Sequence, residues 1–173
     1  MCSSDLLERM IYFSTDEVFG PAIKGVTFSE YDRYNASNPY SASKAAAEEL
    51  CVAYNNTYKL PIYITHTMNV FGERQSPEKF IPMCIHKIKN NEKITIHYNK
   101  QTGDMGSRCY LHAQDVGDAL VFLLNLKNVV AHPDNKKGNC LKFNIASREE
   151  INNYEIAKII ADVQNKELIY ELT

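Results

Sequence analysis

No G-x-x-G-x-x-G run occurs in this sequence, and its 7 glycines are scattered. Within these residues there is therefore no glycine-rich turn of the kind that cradles a dinucleotide pyrophosphate. No apolar run approaches the ~20 residues that a membrane-crossing helix needs. The start, MCSSDLLERM, has neither the basic end nor the apolar centre of a signal peptide, so a cytoplasmic setting is expected. Excess positive charge is absent too. With 19 Lys and Arg against 21 Asp and Glu, the formal charge is -2, which leaves no footprint for nucleic acid or an anionic membrane. Cysteine is sparse: Cys2, Cys51, Cys84, Cys109 and Cys140 form no C-x-x-C pair, and their number is odd. They read as thiols in a reducing compartment, with neither a disulfide framework nor a metal site implied.

What is present is an alternation of strands and helices. MIYF ends a short buried strand beginning at Arg9, and residues 15–36 form a loop. NPYSASKAAAEELCVAYNNTYK, residues 38–59, is a long helix with Asn38 as N-cap and Pro39 at its first position. LPIYITH, EKITIHY, SRCYLHA, CLKFNIA and ELIYEL are strands, and 127–139 is a surface loop. PEKFIPMCIHKIKN, AQDVGDALVFLLNL and NNYEIAKIIADVQNK are helices, the last with Ile156, Ile159 and Ile160 on one side. Such alternation argues for an α/β fold with a mainly parallel sheet.

Two stretches carry chemistry. In FSTDEVFG, two adjacent acids, Asp16 and Glu17, follow a strand end, the position where open α/β sheets keep their ligands. In YSASK, Tyr40 and Lys44 are four apart and share one helix face. An ammonium beside a phenol favours the phenolate, which suits a tyrosine for taking a proton.

These segments, with NVFGERQSPEKFIP at 69–82, resemble the extended short-chain dehydrogenase/reductase family. Within it they are similar to the NAD-dependent nucleotide-sugar epimerases and dehydratases, in particular the sugar-nucleotide 4,6-dehydratases. The resemblance runs from about Arg9 to Thr173. It implies a partial Rossmann-type, doubly wound, mainly parallel sheet with part of a smaller C-terminal substrate-binding region. It implies NAD as cofactor, a nucleotide-diphosphate sugar as substrate, and a homodimer at full length. Tyr40 would take the proton of the sugar 4-hydroxyl, Lys44 would hold the nicotinamide ribose, and Thr15 would bond the same sugar oxygen. Ser14 would line the site, and the backbone at Val70 would touch the nicotinamide amide. Glu17 would remove the proton at carbon 5 while Asp16 protonates the departing 6-hydroxyl, two carboxyls with divided roles. The 4-epimerases and reductases of the family remain the alternative, since they share all but this acid pair; a non-catalytic, degenerate paralogue is the other. Asn69, Lys79, Phe80, Arg108 and Asn144 would contact the sugar nucleotide, the arginine through its diphosphate.

Departures from the family pattern are His66 for an arginine, Val70 for an asparagine, Tyr98 for a glycine and Cys109 for an aspartate. They put the substrate in question more than the reaction class. MCSSDL does not resemble the family, and residues 1–6 are expected to be a non-native leader. Residues 7–75 are expected to form the C-terminal half of the NAD-binding domain. Residues 76–173 would mix the substrate-binding region with returning Rossmann elements, truncated at the C-terminus. A chain limited to these residues would be inactive alone.

Overall fold

A computed structural model describes residues 7–22, 26–127 and 140–173. The expected leader and most of the expected loop at 127–139 lie outside the described residues. The chain divides into two units, Met1–Met68 with Asp115–Ala146, and Asn69–Gln114 with Ser147–Thr173.

The first unit is built on three parallel strands, β1 (Met10–Thr15), β2 (Ile62–Thr67) and β7 (Leu141–Ile145), in the order β1-β2-β7. The middle strand, IYITHT, is buried along its whole length, as a parallel strand covered on both faces must be. Helix α1 (Pro39–Tyr58) follows β1 after a 3-10 turn (Asp16–Phe19) and a loop. Its start is fixed as the sequence predicts. Asn38 Oδ1 accepts from the Ser41 N–H at 2.8 Å, Ser41 Oγ accepts from the Asn38 N–H at 3.3 Å, and Pro39 occupies the first turn. Cys51, Ile62, Ile64 and Cys140 form a core between α1 and the sheet.

Helix α3 (Ala113–Asn125) buries Val116 and Leu123 and leaves Val121, Phe122 and Leu124 exposed. Its C-terminal end is held by Arg9. That guanidinium donates to the carbonyls of Leu123, Leu124 and Leu126 at 2.8, 2.9 and 2.7 Å and lies over the Tyr63 ring. Carbonyls at and just beyond the end of the helix thus share one cation.

The second unit pairs β4 (Ile94–Ile96) with β9 (Tyr170–Leu172) in parallel, and packs α2 (Phe80–Lys89) on α4 (Asn153–Val163). Its core is Cys84, Ile88, Ile94, Ile96, Ala157 and Ala161. Pro82 is tolerated because it lies in the first turn of α2, where its missing N–H has no helical partner to lose. The apolar side of α4 differs from the sequence expectation. Ile156, Ala157 and Ala161 are buried, whereas Ile159 is 50% exposed. Two small alanines let the helix sit close at that stripe and turn Ile159 away.

SRCYLHA is not one strand. It separates into β5 (Ser107–Arg108), antiparallel to β8 (Ile151–Asn152), and β6 (Leu111–His112), parallel to β3 (Val70–Phe71). Among the described residues no helix is long and apolar enough to cross a membrane.

Candidate active site

The C-terminal end of β1 runs directly into the acid pair. Thr15 is the N-cap of the 3-10 turn, its Oγ1 accepting from the Glu17 N–H at 3.3 Å. The same hydroxyl donates to Asp16 Oδ1 at 3.3 Å. Glu17 is exposed, and its Oε2 accepts from Asn38 Nδ2 at 3.1 Å. The residue that caps α1 thereby also holds the second acid. Gly20 closes the turn at φ +80°, where a Cβ would lie 2.4 Å from the Asn35 carbonyl oxygen. Only glycine fits there.

Tyr40 lies in the first turn of α1 and is 54% exposed. One turn on, the Lys44 ammonium donates to the Phe13 carbonyl at 2.7 Å and sits 4.9 Å from the centre of the Tyr12 ring. An ammonium has three hydrogens. One is given to β1, and others remain available for a ligand hydroxyl on the same face. The structure thus brings Ser14, Thr15, Asp16, Glu17, Tyr40 and Lys44 into the segments that meet at the β1 end.

Ser14 faces inward. It is buried, and its Oγ donates to Glu48 Oε1 at 2.5 Å. Glu48 was not among the residues singled out from the sequence, and it is the centre of a buried polar cluster. Its Oε2 accepts from the Tyr34 hydroxyl, lies 3.0 Å from His66 Nε2 and is 3.5 Å from Lys142 Nζ. Burial, the largest single influence, pushes the Glu48 carboxyl up. Hydrogen bonding and charge from His66, with the Ser14 and Tyr34 hydroxyls, outweigh it and hold the carboxyl below its ordinary value. Burial, then Glu48, push the Tyr34 phenol far up, so it remains a donor. The spacing Tyr40, Lys44, Glu48 sets the three along one side of the helix and is the one trace of this residue that the sequence holds.

Asn144 belongs to the same unit, and its carboxamide is engaged within it. Oδ1 faces His66 Nδ1 at 3.1 Å and Nδ2 donates to the Phe28 carbonyl at 3.1 Å. The other residues expected to contact substrate lie in the second unit. Asn69 is exposed and its carbonyl accepts from the Leu111 N–H; the Val70 carbonyl accepts from Gln75 Nε2 at 2.8 Å. Lys79 is the exposed N-cap of α2, and Phe80 packs against the core of that unit. Arg108 is exposed on β5 with its guanidinium on the Ser107 carbonyl. Among the described residues no group of three or more His, Cys, Asp and Glu could hold a metal ion.

Comparison with known proteins gives this geometry a context. The model of the NAD dependent epimerase/dehydratase family matches residues 1–146. The dTDP-D-glucose 4,6-dehydratase of Dictyostelium discoideum is 36% identical over 172 residues, which is 94% of this chain and 36% of that protein. The structure of dTDP-glucose 4,6-dehydratase from Bacillus anthracis in complex with NAD superposes with a TM-score of 0.78 at 27% identity, covering 98% of this chain and 53% of the other. For the fold alone, UDP-glucose 4-epimerase of Thermus thermophilus, also solved with NAD, gives a TM-score of 0.80 at 22% identity, covering 98% and 52%. The chain spans about a third of the length of the Dictyostelium relative and about half of each solved chain. Its fold is the Rossmann type of these dehydratases and epimerases, and the chain belongs to the NAD-dependent epimerase/dehydratase family.

Proposed function

We propose that this chain carries the acid–base residues of an NAD-dependent nucleotide-sugar 4,6-dehydratase acting in the cytoplasm. The observation that carries the reading is the joining of the start of α1, which bears Tyr40 and Lys44, to the strand end and its acid turn: Lys44 donates to the Phe13 carbonyl and Asn38 to the Glu17 carboxylate. Tyr40 would accept the proton of the sugar 4-hydroxyl, with Lys44 favouring its phenolate and Thr15 bonding the same oxygen. Bound NAD would supply a hydride acceptor for carbon 4 and, once reduced by it, the hydride donor for carbon 6. A ketone at carbon 4 makes the proton on carbon 5 acidic. Glu17 is the exposed carboxylate that would take it, and Asp16, protonated, would give a proton to the leaving 6-hydroxyl so that water departs. Asn69, Lys79, Phe80 and Arg108 would meet the nucleotide diphosphate. Tyr40, Lys44 and the Val70 backbone would meet the nicotinamide riboside end.

The exposed stripe Leu50, Tyr54 and Tyr58 on α1 supports assembly as a homodimer through that helix. Incubating the full-length protein that contains these residues with NAD and a panel of dTDP- and UDP-sugars, followed by mass spectrometry, tests the reading, since these residues alone are expected to be inactive. A product lighter by one water, lost in Glu17→Gln, supports it. An epimer of unchanged mass favours a 4-epimerase, and no turnover of any sugar favours a non-catalytic role.

A further inference from the structure

Three strands contribute one polar row beneath the site. Ser14 of β1 pairs in register with His66 of β2, and His66 with Asn144 of β7. The row faces Glu48, which is fully buried, while His66 is 1% exposed. The hydrogen-bond inventory at His66 is unusual. Asn144 Nδ2 must face the Phe28 carbonyl oxygen, because turning the amide round would set two oxygens against each other. Its Oδ1 therefore faces His66 Nδ1. On the other side, Nε2 meets a carboxylate that already takes hydrogens from Ser14 and Tyr34. Both ring nitrogens face acceptors. Beside an ionised Glu48, a neutral imidazole has one N–H and would leave one of the two contacts repulsive, in a place where water does not reach.

We propose that His66 is held as a doubly protonated imidazolium between Glu48 and Asn144, and that this buried ion pair is a positioning device that fixes α1, with Tyr40 and Lys44, against the end of β1. Glu48 from α1 lies 3.0 Å from His66 of β2 and 3.5 Å from Lys142 of β7, and Glu30 from the loop accepts from the Asn144 N–H at 3.2 Å. The phenol of Tyr34 bridges Lys142 and Glu48. Phe19, from the turn that carries Asp16 and Glu17, lies edge-on to the His66 ring at 4.8 Å. Glu48 is thus bonded to the strand end by Ser14, and Lys44 to the same strand by Phe13. Two points of attachment on one helix face set both the depth and the rotation of α1. The significance for catalysis rests on the reading of Tyr40 and Lys44 as the reacting pair.

Nitrogen NMR of the histidine-labelled protein at about pH 8 counts the hydrogens on the ring without any variant. The His66 ring is assigned by its contacts to Phe19. Two ring N–H groups on His66 are expected, and a single one overturns the proposal whether or not the protein is an enzyme. Hydrogen exchange then tests the positioning. Folded Glu48→Gln and His66→Gln should exchange faster by about tenfold or more across residues 10–19 and 38–48. His66→Arg, which keeps a cation with several donors, should restore slower exchange. Native exchange in folded His66→Gln would refute the positioning role. In a protein that turns over a sugar nucleotide, His66→Gln should lower kcat by about tenfold with KM unchanged. Absence of turnover in the full-length native protein would refute the functional reading and leave the NMR and exchange results to decide the ion pair.

Discussion

Replacing Gly20 by alanine isolates how firmly the acid-bearing turn is built. Gly20 has φ +80° and ψ -172°, a region open essentially to glycine, and forcing another residue there costs about 1–3 kcal/mol. The added methyl would also stand 2.4 Å from the Asn35 carbonyl oxygen, a full ångström inside the 3.4 Å at which ordinary contact begins. Neither side yields freely. Asn35 is tied back to the turn by its N–H on the Val18 carbonyl at 2.9 Å, and Val18 is completely buried. Relieving the clash by breaking that bond adds roughly 1 kcal/mol, so a total loss of about 3 kcal/mol is expected. Gly103 supplies the control, since it has φ +74° and nothing within 4 Å of its Cβ position. Gly103→Ala should lose only the backbone contribution, about 1 kcal/mol. Urea unfolding of both variants, followed by circular dichroism, measures the difference. Equal losses in the two, or a Gly20→Ala within about 0.5 kcal/mol of native, would refute the steric argument.

Acid should weaken the protein through Glu48. A carboxyl held below its ordinary value of 4.5 stabilises the fold above that value, and the stabilisation is lost as pH falls through the lower folded value. Stability measured by denaturant should therefore decline below pH 4.5, and Glu48→Gln should flatten that decline. The buried thiols should be inert. Burial pushes Cys84 up to about 12 and Cys140 up to about 11, so neither should react with iodoacetamide at about pH 8 until the protein unfolds. Prompt alkylation of either by the native protein, read by peptide mass spectrometry, would contradict their packing.

Features that depend on neighbours along the chain were legible in the sequence. The α1 start follows from Asn38 and Pro39, the three main strands from β-branched and aromatic runs, and the Tyr40–Lys44 face from helical spacing. Features that depend on partners far along the chain were not. Tyr34, Glu48 and Lys142 were not singled out, and Ser14, His66 and Asn144 were marked only by the family resemblance and never as partners of one cluster; only the parallel register assembles the six. Arg9 likewise gains its meaning from carbonyls of residues 123, 124 and 126. The two-residue strands β3, β5, β6 and β8 are too short for any alternation to be read. Within SRCYLHA the pairing changes partner between Arg108 and Leu111, which a strand-like composition conceals.

Helix α1 joins the reactive side chain to the core through one rigid body. Tyr40, Lys44 and Glu48 are spaced by four, so each lies about 40° round from the last, and the three span about 12 Å of helix. Exposure falls along that line from the half-exposed Tyr40 to the fully buried Glu48. A rotation of the helix that moved Tyr40 would drag the Glu48 carboxylate away from His66, Ser14 and Tyr34 together, and an unpaired buried charge is strongly unfavourable. The loss grows with every donor withdrawn, so the helix has one preferred azimuth. A buried ion pair adds little net stability compared with apolar packing, yet it resists displacement more steeply. That asymmetry gives a reason to place a carboxylate in this position: it contributes geometry at Tyr40 more than it contributes free energy of folding.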